Sequence, residues 1–219
     1  MTYDNGILTQ VQKPARYTGG EWNTTIKPWQ ETRVRMVLSY PDTYEVGMSS
    51  ITIPILYQAV NALPFALAER VFAPWADMEQ ALRQSRSPLL SLETGHALKD
   101  FDLIGFSLGY ELTYTNILNI LDLGGVPVWA SERTDYHPLV MAGGIGVLNP
   151  EPLADFVDFF VVGDGEDLIT RIAMVIDRAK QRKADKQEIL EELAGLDGIY
   201  VPSFYAEERD AKGNFHKLR

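Results

Sequence analysis

Four apolar stretches of this chain end in glycine or short polar residues, where backbone amides or side chains could meet a ligand. The stretches are 33–40, 101–108, 139–142 and 157–162. Their ends carry, in chain order, Asp42, Tyr44, Gly47, Met48 and Ser49; then Ser107; then Gly143 and Gly144; then Gly163 and Gly165. Parallel strands bring their carboxyl ends to one edge of a sheet, where α/β proteins bind ligands. We therefore expect a binding site at this edge, where Gly143, Gly144, Gly163 and Gly165 would let a ligand approach the backbone.

The residue types in these loops indicate ligand contact rather than catalysis. Glycine lets a bulky ligand, or another domain, approach the backbone closely. The last loop also carries Asp164, Glu166 and Asp167, which complement the positive end of the following helix and would repel a phosphate. The loops lack a hydroxyl-rich or glycine-rich phosphate pattern, a nucleophile–base set and metal-ligand spacing, so we predict neither catalytic nor metal-binding residues.

Apolar runs that alternate with helical periodicity must position these loops. The pattern predicts strands over 33–40, 66–72, 101–108, 139–142 and 157–162, and helices over about 52–62, 74–83, 113–123, 164–183 and 188–193. Residues 42–50 read as a loop. Alternating strands and helices favour an α/β fold, a flavodoxin-like parallel five-stranded sheet in the order 2-1-3-4-5.

The two ends of the chain differ from this central region. Residues 1–32 show no sustained period, and proline and glycine interrupt them, so we predict an ordered arm without a helix or strand. Residues 184–219 are predicted to be a C-terminal extension, with a small helix, an extended piece over 198–205 and a hairpin around Gly213. The predicted units are therefore 1–32, 33–183 and 184–219.

Composition excludes several classes of protein. The net charge is −10, so a nucleic-acid surface is not expected. The chain has no cysteine, which excludes disulfides, thiolate metal sites and thiol nucleophiles. No apolar run approaches the ~20 residues that span a bilayer, and no signal pattern is seen, so we expect a soluble cytoplasmic protein without membrane contact.

Several motifs together resemble the N-terminal domain of an uncharacterised radical S-adenosylmethionine (radical SAM) family. They are Pro41–Ser49, Ala68–Pro74, Phe106–Leu108 with Tyr110-Glu111, and Asn149–Pro152 with Gly163–Glu166. In that family a cobalamin-binding-like domain precedes the radical SAM barrel. The resemblance covers roughly residues 14–205 and implies a cobalamin-binding-type Rossmann domain. Its cofactor contacts would come from Asp42–Ser49, Ser107, Gly143-Gly144, Gly163 and Gly165.

Two departures from the family chemistry matter. Cobalamin domains that ligate cobalt from below use Asp-x-His-x-x-Gly, and the matching run Asp42–Gly47 has Tyr44 in place of the histidine. The resemblance therefore implies cobalamin without a lower histidine ligand. A 4Fe-4S cluster and S-adenosylmethionine would belong only to the full-length protein, because the cluster needs cysteines that this chain lacks. We expect the C-terminal extension to lead towards a missing barrel, the partner in cis.

Three hypotheses remain open. The first is a cobalamin-binding-like domain of a radical SAM enzyme that is not catalytic alone. The second is a docking module whose strand ends pack on the barrel without a ligand of their own. The third, a free-standing flavodoxin-like enzyme, lacks a catalytic constellation. If the glycine loops form the site, Gly144→Val is predicted to abolish ligand binding while leaving the fold intact.

Overall fold

A six-stranded sheet forms the centre of the computed structural model, which describes residues 3–209 and 215–218. Its strands are β1 (Val34–Ser39), β2 (Ala66–Arg70), β3 (Leu103–Ser107), β4 (Leu139–Gly143), β5 (Phe159–Val161) and β6 (Ile199–Tyr200). The order is β2-β1-β3-β4-β5-β6, with β1 to β5 parallel. The predicted α/β fold and the parallel order 2-1-3-4-5 are confirmed.

The sixth strand corrects the predicted five-stranded sheet. The extended piece that contains β6 was placed outside the sheet, but β6 pairs antiparallel with β5, Val161 opposite Ile199 and Phe160 opposite Tyr200. Gly198, with φ +88°, allows the chain to turn back along β5, and its carbonyl accepts a hydrogen bond from the Val162 amide at 2.7 Å. A two-residue strand is too short to show alternation in the sequence.

Helices cover both faces of the sheet. They are α1 (Asn5–Leu8), α2 (Tyr44–Ser49), α3 (Thr52–Asn61), α4 (Ala76–Ser85), α5 (Tyr114–Leu123), α6 (Gly165–Arg182) and α7 (Lys186–Ala194). The apolar faces of α3, α6 and α7 pack on one side of the sheet, and those of α1, α4 and α5 pack on the other. A second, two-stranded sheet joins β7 (Glu207–Arg209) to β8 (Phe215–Leu218). The residue at the predicted hairpin turn, Gly213, lies outside the described residues.

Two local predictions are wrong. The arm contains the short helix α1 and a 3₁₀ turn over Pro14–Tyr17. The segment predicted as a loop after β1 contains α2, whose Gly47 packs against the Phe72 ring. A Cβ on Gly47 would lie 2.2 Å from Phe72 Cδ1, so this close approach requires glycine. Tertiary contact, rather than helical periodicity, stabilises α2.

The arm and α3 together cover the outer edge of β2, which would otherwise present unpaired backbone groups. Lys27 Nζ donates to the carbonyls of Asn61, Leu63 and Ala66 at 2.6–2.8 Å. The Asn61 side chain exchanges two hydrogen bonds of 3.1 Å with the Ala68 backbone. All five residues of β2 are consequently buried.

Among the described residues, no helix has both the length and the apolar character needed to cross a membrane.

Candidate functional site

A narrow slot of about 240 Å³ opens at the carboxyl ends of the parallel strands, between α3 and α6. Strand register explains its shape. Leu38, Gly105 and Met141 stand side by side on β1, β3 and β4 and form the floor. One pleat further on, Ser107, Gly143 and Val161 stand side by side on β3, β4 and β5. Each row carries a glycine at its centre, so the sheet surface recedes there and leaves the slot.

The glycines keep the slot open in different ways. A Cβ on Gly105 would lie 2.7 Å from Met141 Cε and 3.1 Å from Leu38 Cδ2, so a side chain there would fill the floor. A Cβ on Gly143 would make only ordinary contacts, the nearest being Val161 Cβ at 3.5 Å. Gly163 has φ +111° and nothing within 4 Å of its Cβ position. A ligand group in the slot can therefore lie directly against the backbone of Gly143 and Gly163.

Gly144 has a structural role, which overturns part of the sequence-based prediction. Its φ is +98°, and a Cβ would lie 2.7 Å from the Leu108 carbonyl oxygen. The loops after β3 and β4 meet at this point, where the Leu108 amide donates to the Gly143 carbonyl at 2.7 Å. The prediction that Gly144→Val leaves the fold intact is therefore wrong, because valine would separate the two loops and strain the backbone.

Charge in the slot is confined to its mouth. Leu38, Met141 and Val161 make the floor apolar, whereas the exposed carboxylates of Asp164 and Glu166 lie where α6 begins at Gly165. These carboxylates occupy the positive end of the helix and oppose an anionic ligand group. The arrangement favours a flat, uncharged group in the slot, with its polar part held outside in water.

The predicted residues divide into two sets. Ser107, Gly143, Gly144, Gly163 and Gly165 all line the slot, as the sequence predicts for a shared edge. Asp42, Tyr44, Gly47, Met48 and Ser49 are absent from its lining. On the β1 side the slot is lined instead by residues that follow α2, from Ile51 to Leu56.

Contacts of the Asp42–Ser49 segment explain its position. The Tyr44 hydroxyl donates to Glu21 Oε1 at 2.6 Å, Met48 Sδ lies 3.6 Å from Arg70 Nη1, and Ser49 Oγ donates to the Val46 carbonyl. Burial, reinforced by the Glu21 carboxylate, raises the pKa of Tyr44 to about 12. The Tyr44 phenol is thus neutral at physiological pH and tied to the arm.

Asp42 has a partner that the sequence did not reveal. Its Oδ2 accepts a hydrogen bond from the Tyr110 hydroxyl at 2.6 Å, which joins the loops after β1 and β3. The Asp42 carboxylate raises the pKa of Tyr110. Tyr110 appeared in the sequence only as an aromatic residue of a motif, and no local spacing links residues 68 positions apart.

Among the described residues, no group of three or more histidine, aspartate or glutamate side chains could hold a metal ion.

Exposed apolar side chains occur in the segments that follow the parallel strands. Ile51 (77%), Leu112 (86%), Ile145 (71%) and Leu148 (77%) keep most of their surface exposed, and Val162 keeps 41%. These residues follow β1, β3, β4 and β5, so all five stand at the carboxyl edge of the sheet. We call them the apolar rim. Large apolar side chains grouped on one surface are typical of an interaction site.

Comparison with known proteins assigns most of this chain to one protein family. Residues 52–202 match the family model described as "Radical SAM proteins, N-terminal". Among solved structures, the chain is similar to the radical S-adenosylmethionine methyltransferase TsrM from Kitasatospora setae with cobalamin and a [4Fe-4S] cluster bound, at 16% identity and a TM-score of 0.45. That match covers 83% of this chain and 30% of TsrM. The comparison with curated proteins gave no match. On the family match, this chain belongs to the radical SAM proteins and represents their N-terminal region.

Proposed function

We propose that this domain holds cobalamin by enclosing the uncharged base at the end of the cofactor's nucleotide tail in the slot, with the anionic phosphate of that tail in water outside the mouth. The observation that carries the proposal is the glycine-centred slot, whose apolar floor fits the flat base at the end of that tail. Its volume of about 240 Å³ is below the ~300–1,000 Å³ of pockets that enclose a whole small molecule. The slot would therefore take one limb of a larger ligand, and the corrin ring would remain outside.

The residues present fit this use without a protein ligand to cobalt. Tyr44 stands at the sequence position of the usual histidine, but its hydroxyl donates to Glu21. We infer that the corrin is held by its tail and by the loops at the strand ends. When bound, cobalamin supplies radical or group-transfer chemistry at cobalt. The contribution of this chain would be to exclude water from the base and to orient the ring.

The whole protein would add the parts that this chain lacks. A radical SAM barrel needs three cysteine thiolates for its iron–sulfur cluster, and none is present here. We propose that the barrel follows in cis, that 4Fe-4S and S-adenosylmethionine bind there, and that this chain is not catalytic alone. In this proposal the arm (1–32), the Rossmann domain (33–183) and the extension (184–219) keep their predicted limits, and β6 of the extension completes the sheet.

The test compares two corrinoids. The purified chain is titrated with hydroxocobalamin and with cobinamide, which lacks the nucleotide tail, and retention is read from visible absorption after gel filtration. We expect retention of hydroxocobalamin and at least tenfold weaker retention of cobinamide. Equal retention of both would contradict the slot, and retention of neither would contradict cobalamin binding by this domain.

The apolar rim supports a second candidate function, a docking module for the barrel. Ile51, Leu112, Ile145 and Leu148 each keep at least 71% of their surface exposed, and exposed large apolar side chains at one edge are typical of an interaction site. In this alternative the barrel covers the rim and the slot holds no ligand. A hydrophobic dye should bind this chain and be displaced in a longer chain that includes the barrel. Equal dye binding by both chains would contradict docking through the rim.

A further inference from the structure

A second and larger concavity lies at the opposite end of the sheet from the slot. It encloses about 900 Å³ and is lined by residues before β4, before β5 and after β6, together with the start of α7. We call it the basal groove. The described residues that line the groove do not line the slot, so the two concavities are separate.

The basal groove has an excess of negative charge. Of the described residues, five carboxylates and two cations line it, a surplus of three negative charges. Both cations already form ion pairs with Asp158. Arg133 Nε lies 3.0 Å from Asp158 Oδ2, and Lys186 Nζ lies 2.8 Å from Asp158 Oδ1. The Arg133 side chain is fully buried and also donates to the carbonyls of Pro127, Val128 and Phe156. Neither cation is therefore available to neutralise the other carboxylates.

The other four carboxylates are exposed residues. Asp135 accepts a hydrogen bond from the Lys186 backbone amide, Asp185 caps α7, and Glu151 accepts from the Tyr200 hydroxyl at 3.2 Å. Asp155 has no hydrogen-bond or ion-pair partner on its side chain among the described residues. Among the side chains that the structure describes, no cation balances the charge of these four carboxylates.

Aromatic rings form part of the groove wall. Trp129 stays 45% exposed while packing on Phe156 at a centroid distance of 4.7 Å. Tyr205 stays 49% exposed while packing on Tyr200 at 5.2 Å. Each exposed ring has one covered side, so its other surface can receive a planar cation. Aromatic faces beside unbalanced carboxylates are the environment that a guanidinium group prefers, since it stacks on rings and pairs with carboxylates in two-point geometry.

We propose that the basal groove is a docking site for an extended, arginine-containing segment of a protein partner. Charge complementarity favours a basic occupant over a neutral or acidic one, and the aromatic wall favours arginine over lysine. The volume is sufficient for several residues of a chain rather than a single side chain. This inference does not depend on cobalamin, because the groove and the slot lie at opposite ends of the sheet.

The test uses the intact chain and three labelled peptides of equal length, with the repeats Gly-Arg, Gly-Lys and Gly-Glu. Fluorescence anisotropy measures their binding at low and physiological salt. We expect the arginine peptide to bind about two- to fivefold more tightly than the lysine peptide, and Trp129→Leu to abolish that preference. The glutamate peptide should not bind. Equal affinity for arginine and lysine peptides would overturn the proposal.

A matched pair of variants separates the groove from the general acidity of the chain. Asp155→Asn removes one charge in the groove, and Asp164→Asn removes one exposed charge at the slot mouth. We expect Asp155→Asn to weaken the arginine peptide about two- to fivefold and Asp164→Asn to leave it unchanged. Equal weakening by both variants would show that the peptide responds only to net charge, and the docking site would be refuted.

Discussion

Two adjacent glycines, Gly143 and Gly144, should respond in opposite ways to the same substitution. A valine side chain at position 143 would lie on the face of β4 that lines the slot. Its Cβ would lie 3.5 Å from Val161 Cβ, an ordinary van der Waals contact. Because glycine weakens a strand interior, Gly143→Val should change the free energy of unfolding by no more than ~1 kcal/mol. Valine at Gly144 would need φ +98° and would meet the Leu108 carbonyl oxygen at 2.7 Å.

The cost at Gly144 follows from two additive causes. A positive φ costs a β-branched residue about 1–3 kcal/mol, and moving the Leu108 loop adds to that. We expect a loss of about 2–4 kcal/mol, which at ~2 kcal/mol per molar of urea lowers the unfolding midpoint by about 1–2 M. Gly125→Val is the control, since Gly125 has φ +69° but nothing within 4 Å of its Cβ position. It should show the strain without the clash.

Ligand binding then separates the two positions. Gly143→Val adds three carbon atoms at the mouth of the slot. Overfilling a packed space costs about 1–3 kcal/mol, so the affinity for hydroxocobalamin should fall roughly 5- to 150-fold. Urea unfolding followed by circular dichroism gives stability, and the absorption titration gives affinity. The reasoning is refuted if Gly144→Val unfolds at the parent midpoint, or if Gly143→Val keeps the parent affinity with the fold intact.

Two further predictions concern stability. Hydrogen bonds from Arg33, at 2.6 and 3.0 Å, hold the pKa of Asp177 below its ordinary value of 3.8. The ion pair therefore stabilises the fold above pH 3.8 and loses this effect as the pH falls. We expect the urea unfolding midpoints of the parent and of Asp177→Asn to converge in acid. A difference between the two midpoints that stays constant with pH would contradict this. Lys27→Met removes a donor from three carbonyls and should cost about 1–3 kcal/mol in urea unfolding. Lys13→Met, with 62% of the side chain exposed, is the control, and equal losses would contradict a special role for Lys27.

The strands were predictable because a parallel sheet covered on both faces needs long apolar runs. The run 101–108 shows this most clearly, and β3 lies within it at the centre of the sheet. Helix α6 was predictable because eight buried residues repeat along one face. Helix α2 and strand β6 were not, because a contact with Phe72 stabilises the first and pairing with β5 defines the second.

The site was predictable only in part, for a similar reason. Glycines that follow apolar runs mark a strand end, and this local signal identified Gly143 and Gly163. The floor residues Leu38, Gly105 and Met141 come from three strands that are far apart in sequence. Their position in one row follows from strand register, which the spacing of the runs does not determine. Gly105 lies inside an apolar run, where a sequence reading takes it for a packing residue.

The first loop keeps the sequence motif of a cofactor contact, but its side chains lie outside the slot. The Asp42–Gly47 segment resembles a cobalt-ligand loop, yet its side chains are directed elsewhere: Tyr44 to Glu21 of the arm and Asp42 to Tyr110. Ile51 lies beyond α2, lines the slot and is still 77% exposed. A ligand in the slot would therefore meet Ile51, rather than Asp42 or Tyr44, on the β1 side. Ile51 belongs to both the slot and the apolar rim, so a barrel that docked on the rim would also cover the mouth of the slot.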